Sequence, residues 1–303
     1  MILNGFFMPF IAFTDYLHLE KNYSPHTVNA YNKDLLEFSG FLKNEFENDK
    51  IDDVNYSQIR SWIVSLVESK ISNRSVNRKM ASLKAYYKFL LRTGQMEVNP
   101  LANHKALKTS KKIEVPFSET EVALVLNDLY FEDSFEGLRN YLIIELFYST
   151  GIRRSELINT KIVHFDDSNK TLKVLGKRNK ERVIPLLDSV CLNFNAYLLK
   201  RNELPEVLDP EYLFLTKKGV KVYETLVYRI INEYFSKASD KVKKSPHILR
   251  HTFATHLLNQ GANLNAVKEL LGHSSLASTQ VYTHSSISEL KKVYGNSHPR
   301  SKK

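Results

Sequence analysis

Cysteine is almost missing from this chain of 303 residues: Cys191 is the single one, so neither an internal disulfide nor a thiolate-rich metal site can form. Long apolar runs are missing too, none approaching the ~20 residues that a membrane-spanning helix needs. The apolar start MILNGFFMPFIAF has no basic segment before it and no small-residue cleavage site after it, and Asp15 and His18 soon interrupt it. These absences predict a cytoplasmic protein with no membrane association. No GxxxxGK[ST] loop is present to cradle a nucleotide, and no repeat, coiled coil or low-complexity tract appears. Carboxylates thin out toward the C-terminus: beyond Lys241 only Glu269 and Glu289 remain, few ligands for a two-metal nuclease.

What is abundant is positive charge. Lys and Arg outnumber Asp and Glu by 43 to 33, a formal net charge of +10 that favours encounters with polyanions and makes nucleic acid the first partner to test. The excess is uneven, since Lys70, Arg74, Arg78, Lys79, Lys84, Lys88 and Arg92 follow one another with no acid between them. With hydrophobic residues at 43% and charged ones at 25%, the chain reads as an ordinary globular protein whose length suggests two domains.

The first hundred residues have the punctuation of short amphipathic helices. Ser24 and Pro25 form an N-cap and first-turn pair ahead of Val28, Tyr31, Leu35, Phe38 and Leu42 on one side. A second helix is expected from about Ser57 with Ile59, Trp62, Ile63 and Leu66. A third, from Asn73 to Thr93, turns Val76, Met80, Leu83, Tyr87 and Leu90 inward, puts the basic run on its other faces, and stops at Gly94. The aromatics are expected in the core rather than as stacking platforms. Around VNPLANHKALKTSKKIEVP the periodicity fails while lysines accumulate, which is linker composition. The division predicted is a helical domain over residues 1–105, a basic linker over 106–115 and a second domain over 116–303.

The second domain opens with helices, among them the apolar YLIIELFYST that ends at Gly151. The runs KIVHF, TLKVL and ERVIPL, separated by the turn compositions DDSN and GKRNK, then predict a small antiparallel sheet with a basic hairpin tip. Helices return afterwards, in SPHILRHTFATHLLNQG, in NAVKELLG and in SLASTQVYTH. The class expected is mainly α with a small antiparallel β-sheet.

Four islands here suit a phosphodiester: Arg153 in TGIRRSEL, Lys177 in GKRNKER, His247 and Arg250 in the stretch beginning SPHILRH, and His273 followed by Tyr282 in LLGHSSLASTQVYTH. A guanidinium is planar and grips two phosphate oxygens at once. His247 and His251 have the spacing of a zinc-binding helix. No glutamate stands between them, however, and Arg250 would repel a cation, so no metal is expected.

In order and spacing these islands resemble the signature of the tyrosine recombinases, the phage integrase family, and within it the bacterial Xer recombinases. YSTGIRRSEL is similar to the family's first arginine motif, VLGKRNKERVIPL to its lysine hairpin, SPHTVNAYNKDL to the start of its DNA-binding domain and YGNSHPRSKK to an Xer tail. The resemblance implies a SAM-like helical-bundle core-binding domain and a catalytic domain forming a clamp around DNA.

The catalytic set it implies is Arg153, Lys177, His247, Arg250, His273 and Tyr282. Arg153 and Arg250 clamp the scissile phosphate, Tyr282 attacks it, Lys177 protonates the leaving oxygen, His247 takes the tyrosine proton and His273 hydrogen-bonds the phosphate. Glu156 and His251 would support this set, and Arg74, Asn77, Arg78 and Lys79 would contact DNA. Alignment on Gly151 and Glu156 favours Arg153 over Arg154, and Arg178 stands where the family's hairpin commonly has a second glycine.

The implied function is cutting and rejoining double-stranded DNA at a specific site, with no cofactor, by a homo- or hetero-tetramer. The tail, with Ile287, Leu290 and Val293, would dock on a neighbouring protomer. Chromosome dimer resolution, with an activating cell-division DNA translocase, is the setting expected. Its rivals are an integrase of a mobile element, a DNA-binding module without catalysis and a metal-dependent nuclease.

Overall fold

A computed structural model describes residues 10–110, 114–127, 131–176, 181–272 and 294–302. The chain forms two compact units, Met1–Lys112 and Ile113–Lys303. Helices predominate, and the described strands form one small antiparallel sheet.

In the first unit a short helix α1 (Ile11–Asp15) runs into a π-helical turn and is followed by α2 (Pro25–Phe46), α3 (Tyr56–Glu68) and α4 (Asn73–Arg92). The Ser24 hydroxyl accepts from the Thr27 N–H with Pro25 in the first turn, and Gly94 beyond α4 takes the left-handed φ of +69° that suits glycine. The second helix begins one residue before Ser57, because Asn55 and Gln58 close a reciprocal capping box around its first turn. Val28, Leu35, Phe38 and Leu42 meet Ile59, Trp62, Val76, Met80, Leu83 and Tyr87 in one buried cluster, so these aromatics are core.

Two sequence expectations change in this unit. The basic run does not stay on the outer faces of α4, since Lys79 is 7% exposed and its ammonium lies 2.5 Å from Glu37 and 3.5 Å from Asp34. The predicted linker is also partly built into the unit. The Asn77 side chain exchanges two 2.9 Å hydrogen bonds with the backbone of Leu107, and Asn73 donates to the Lys108 carbonyl at 2.8 Å.

The second unit is organised about α6 (Phe135–Thr150), whose side chains from Tyr141 to Thr150 are all buried. A helix apolar on every side belongs at the centre of a domain. It is packed by α8 (Asp188–Asn202) and α10 (Pro246–Asn259). Helices α5 (Glu119–Val125), α7 (Arg154–Ile158), α9 (Glu224–Ser236) and α11 (Leu264–Leu271) complete the described helical set.

The sheet has the order β1 (Phe165–Asp166), β2 (Thr171–Leu175), β3 (Glu181–Pro185), with Leu172 opposite Ile184 and Val174 opposite Arg182. The run KIVHF is mostly not strand: Ile162–His164 forms a 3₁₀ turn and only Phe165 joins the ladder, because the His164 ring nitrogen takes the Lys161 N–H at 3.2 Å and closes the turn. The C-terminal residues pack on α6: the Tyr294 hydroxyl donates to the Ser149 carbonyl at 2.7 Å, and Arg300 lies 3.3 Å from Glu145.

Candidate active site

The left-handed turn that ends α6 builds one wall. Gly151 takes φ +59°, where a side chain is strained, and reverses the chain so that Arg153 caps the start of α7. Glu156 then lies three residues along, 4% exposed. Its Oε2 accepts the Arg153 backbone N–H at 2.9 Å, and its Oε1 accepts the Arg153 Nη1 at 2.7 Å. Arg154 turns away to Glu224 on α9 at 2.5 Å, so of the two adjacent arginines only Arg153 enters the cluster.

The second wall is α10. Residues 247, 250 and 251 do not form one uniform face, because steps of about 100° per residue separate position 250 from 251 by a quarter turn or more. Arg250 is 9% exposed and points inward, while the His247 side chain is 74% exposed and His251 is exposed. Arg250 donates to the Gly151 carbonyl and, at 2.6 Å, to the Leu271 carbonyl. The outer imidazole of His247 lies 3.3 Å from Glu114, which also holds Lys243.

The third wall is the carboxyl end of α11, capped by Gly272 at φ +63°. Three successive carbonyls there each receive one arginine: Leu270 from Arg182 Nε at 3.1 Å, Leu271 from Arg250, and Gly272 from Arg153 Nη2 at 2.9 Å. The negative end of a helix accommodates cations, and these carbonyls hold the guanidiniums side by side.

The sequence motifs do not point to Arg182. It reaches the pocket from β3 and holds Glu156 with both terminal nitrogens, at 2.7 and 2.8 Å. The signal for it was the period of two along ERVIP, which puts Arg182 on the same inward face as Ile184.

Three guanidiniums gather around one carboxylate, which two of them, Arg153 and Arg182, bond directly, so the cluster is cationic. Burial works against the Glu156 carboxylate, but the hydrogen bonds and charge of Arg182, together with Arg153, more than offset it and hold the group down at about 2. Burial, and then the charge of Arg153, pull the Arg250 guanidinium down to about 9, with Glu156 acting the other way. An anion placed here would relieve that mutual repulsion. Among the described residues no group of histidine, cysteine and carboxylate side chains could hold a metal ion.

The described residues thus bring together Arg153, Glu156 and Arg250 of the expected set and add Arg182. His247 and His251 stand on the exposed side of α10. Lys177, His273, Tyr282, Ile287, Leu290 and Val293 lie outside the described residues. In the first unit Arg74 and Arg78 are exposed, Asn77 is half-buried on the linker and Lys79 is buried.

The phage integrase family model matches residues 126–289, and the model of the phage integrase N-terminal SAM-like domain matches residues 10–94. The chain is 40% identical over 297 residues to the tyrosine recombinase XerC of Anoxybacillus flavithermus, covering 95% of this chain and 96% of that one. It is also 40% identical over 294 residues to XerC of Oceanobacillus iheyensis, covering 95% of each. Among solved structures it is similar to the XerH site-specific recombinase bound to difH substrate, with a TM-score of 0.67 and 25% identity over 90% of this chain and 80% of that one. It shares its fold with the Tn1549 transposon integrase in complex with circular intermediate DNA, at a TM-score of 0.67 and 21% identity over 92% of this chain and 97% of that one.

Proposed function

Since the chain belongs to the phage integrase family, we propose that its arginine cluster binds the scissile phosphate of DNA and that Tyr282 is the nucleophile. The chain is a site-specific tyrosine recombinase and DNA is its partner. The observation that carries the mechanistic reading is the convergence of Arg153 and Arg250 on neighbouring carbonyls at the end of α11. His273 follows that end directly, and Tyr282 lies nine residues further on.

In this reading the Tyr282 hydroxyl oxygen attacks phosphorus and the bond to the 5′ oxygen breaks, which leaves a 3′-phosphotyrosyl bond and a free 5′-hydroxyl. The tyrosine proton passes toward His247, and Lys177 supplies a proton to the departing oxygen. Arg153 and Arg250 stabilise the charge that accumulates on the non-bridging oxygens, and His273 hydrogen-bonds the same phosphate. Glu156 orients the arginines, and His251 supports the exposed side of α10. Attack by a second 5′-hydroxyl reverses the step. One phosphodiester is kept throughout as a covalent bond, so the exchange needs no nucleotide hydrolysis, and the guanidiniums take the part that metal ions play elsewhere.

Arg74 and Arg78 are the proposed contacts to DNA in the first unit. The working form is a homo- or hetero-tetramer on a palindromic site, and the setting is resolution of chromosome dimers in the cytoplasm under an activating cell-division translocase. The two XerC relatives support that setting. Integration of a mobile element is the second reading, favoured by the fold shared with a transposon integrase.

A nicked duplex from which the cleaved strand cannot be rejoined tests the chemistry. The chain is expected to accumulate as a covalent protein–DNA adduct, the Tyr282→Phe variant to form none, and chelator to leave the reaction intact. An adduct formed by Tyr282→Phe would overturn the assignment of the nucleophile.

A further inference from the structure

The three arginines of the pocket are not equivalent. The Arg153 side chain is 35% exposed and can meet a ligand, whereas that of Arg182 is 6% exposed. Nε and both terminal nitrogens of Arg182 are engaged inside the protein, Nε on the Leu270 carbonyl and the other two on the two oxygens of Glu156. Unlike Arg250, which is 9% exposed but gives its terminal nitrogens to two uncharged carbonyls and so keeps its charge for an anion, Arg182 has its charge taken up inside the protein by Glu156. It can decide what the carboxylate does to its neighbour.

Glu156 Oε1 takes one N–H from Arg153 and one from Arg182, each at 2.7 Å. Without Arg182, the whole negative charge of Glu156 would fall on Arg153. The guanidinium that faces the ligand would then be drawn down into a closed ion pair and largely neutralised. With Arg182 present, the carboxylate is already compensated, and Arg153 keeps its orientation together with most of its net charge. The Nε bond to Leu270 meanwhile fixes the last turn of α11, from which the chain continues to His273.

We propose that Arg182 is a positioning residue of strand cleavage: by satisfying Glu156 from β3 it leaves the Arg153 guanidinium cationic and aimed at the scissile phosphate. This rests on the reading that the arginine cluster is the phosphate site. The inference predicts a loss in the chemical step with little loss in DNA binding, since Arg182 itself touches no DNA.

The experiment uses the full chain and a duplex that the wild type selects from a random-sequence library, nicked so that cleavage is irreversible. Adduct formation is followed at saturating DNA, and affinity is measured separately by gel shift. Arg182→Gln is expected to slow adduct formation by about tenfold or more while changing affinity by less than about threefold. The discriminating variant is Arg182→Gln combined with Glu156→Gln, which removes the uncompensated carboxylate and is expected to be faster than Arg182→Gln alone. A merely structural role would make the double variant slower still. Arg182→Lys, which keeps the charge but loses the fork, supplies the same measurement if Arg182→Gln does not fold, with slower adduct formation at unchanged affinity expected. An Arg182 variant that matches the wild-type rate, or a double variant no faster than Arg182→Gln, overturns the inference. A wild type that forms no adduct overturns the recombinase chemistry as well, and the two failures are thereby told apart.

Discussion

Arg250 and Gly151 are bound to each other, the guanidinium Nη1 donating to the glycine carbonyl. The position admits no other residue readily: φ is +59°, and an added Cβ would lie 2.4 Å from the Phe253 ring and 2.8 Å from Leu271. Gly151→Ala should therefore cost more than backbone strain alone, about 2–4 kcal/mol in urea unfolding once overpacking is added. Gly261→Ala is the comparison, with φ +84° and open space around it, and should cost only about 1 kcal/mol. Equal midpoints for the two variants would show that the wall behind Arg250 is softer than its packing indicates.

Acid should destabilise the protein in two stages. Burial pulls the His298 imidazole from the ordinary 6.5 down to about 4, so the unfolded chain binds its proton first. That contribution is complete above about 6.5 and is lost as the pH falls toward 4. The Glu156 carboxyl is held at about 2 against an ordinary 4.5, so its contribution is complete above 4.5 and is lost between 4.5 and 2. Glu121 shares the lower window, since burial works against its carboxylate but Lys241 and Ser118 outweigh it and hold the group at about 2 as well. Urea midpoints across this range should fall in both windows, and Glu156→Gln should shrink the lower loss without abolishing it while leaving the upper one. A lower loss left undiminished in Glu156→Gln would place its origin elsewhere.

How much of this was legible beforehand differs from residue to residue. Ser24, Pro25 and Gly151 announced their elements because capping and left-handed turns are local and act on few residues at a time. Arg153, Arg250 and Glu156 were found through a motif, and no periodicity would have joined residues a hundred positions apart. Arg182 is hidden in a basic hairpin, where only the period of two along ERVIP marks it as inward. Lys79 reads as solvated for the opposite reason: its basic neighbours suggest one outer face, while its partner Glu37 lies on another helix. Tertiary pairing is the part that a single sequence expresses least.

Asp34 should matter to stability and to DNA recognition together. It is 1% exposed and holds Arg78 through both oxygens, at 2.5 and 2.9 Å, while the Ser82 hydroxyl donates to it at 2.7 Å. The Arg78 side chain is itself half exposed, so Asp34→Ala lets it turn to water and should cost about 2–3 kcal/mol, less than the break of a fully buried pair. With Arg78 no longer held in one direction, affinity for the selected duplex should fall more than affinity for random DNA. Parallel losses on both duplexes, measured by competition, would assign Asp34 to stability alone.

The salt dependence of DNA binding should separate two lysine and arginine neighbours that the sequence presents alike. Each phosphate contact releases condensed counterions and steepens the fall of log affinity against log salt by about 0.9. Arg74 is exposed on α4, so Arg74→Ala should flatten the slope by about that amount on random duplex. Lys79 is spent on Glu37 and Asp34 inside the first unit, and Lys79→Met, which keeps the aliphatic stem, should leave the slope as it is although it lowers stability. If Lys79→Met flattens the slope as Arg74→Ala does, its ammonium leaves the carboxylates when DNA binds, and the ion pair is a resting state of a DNA contact.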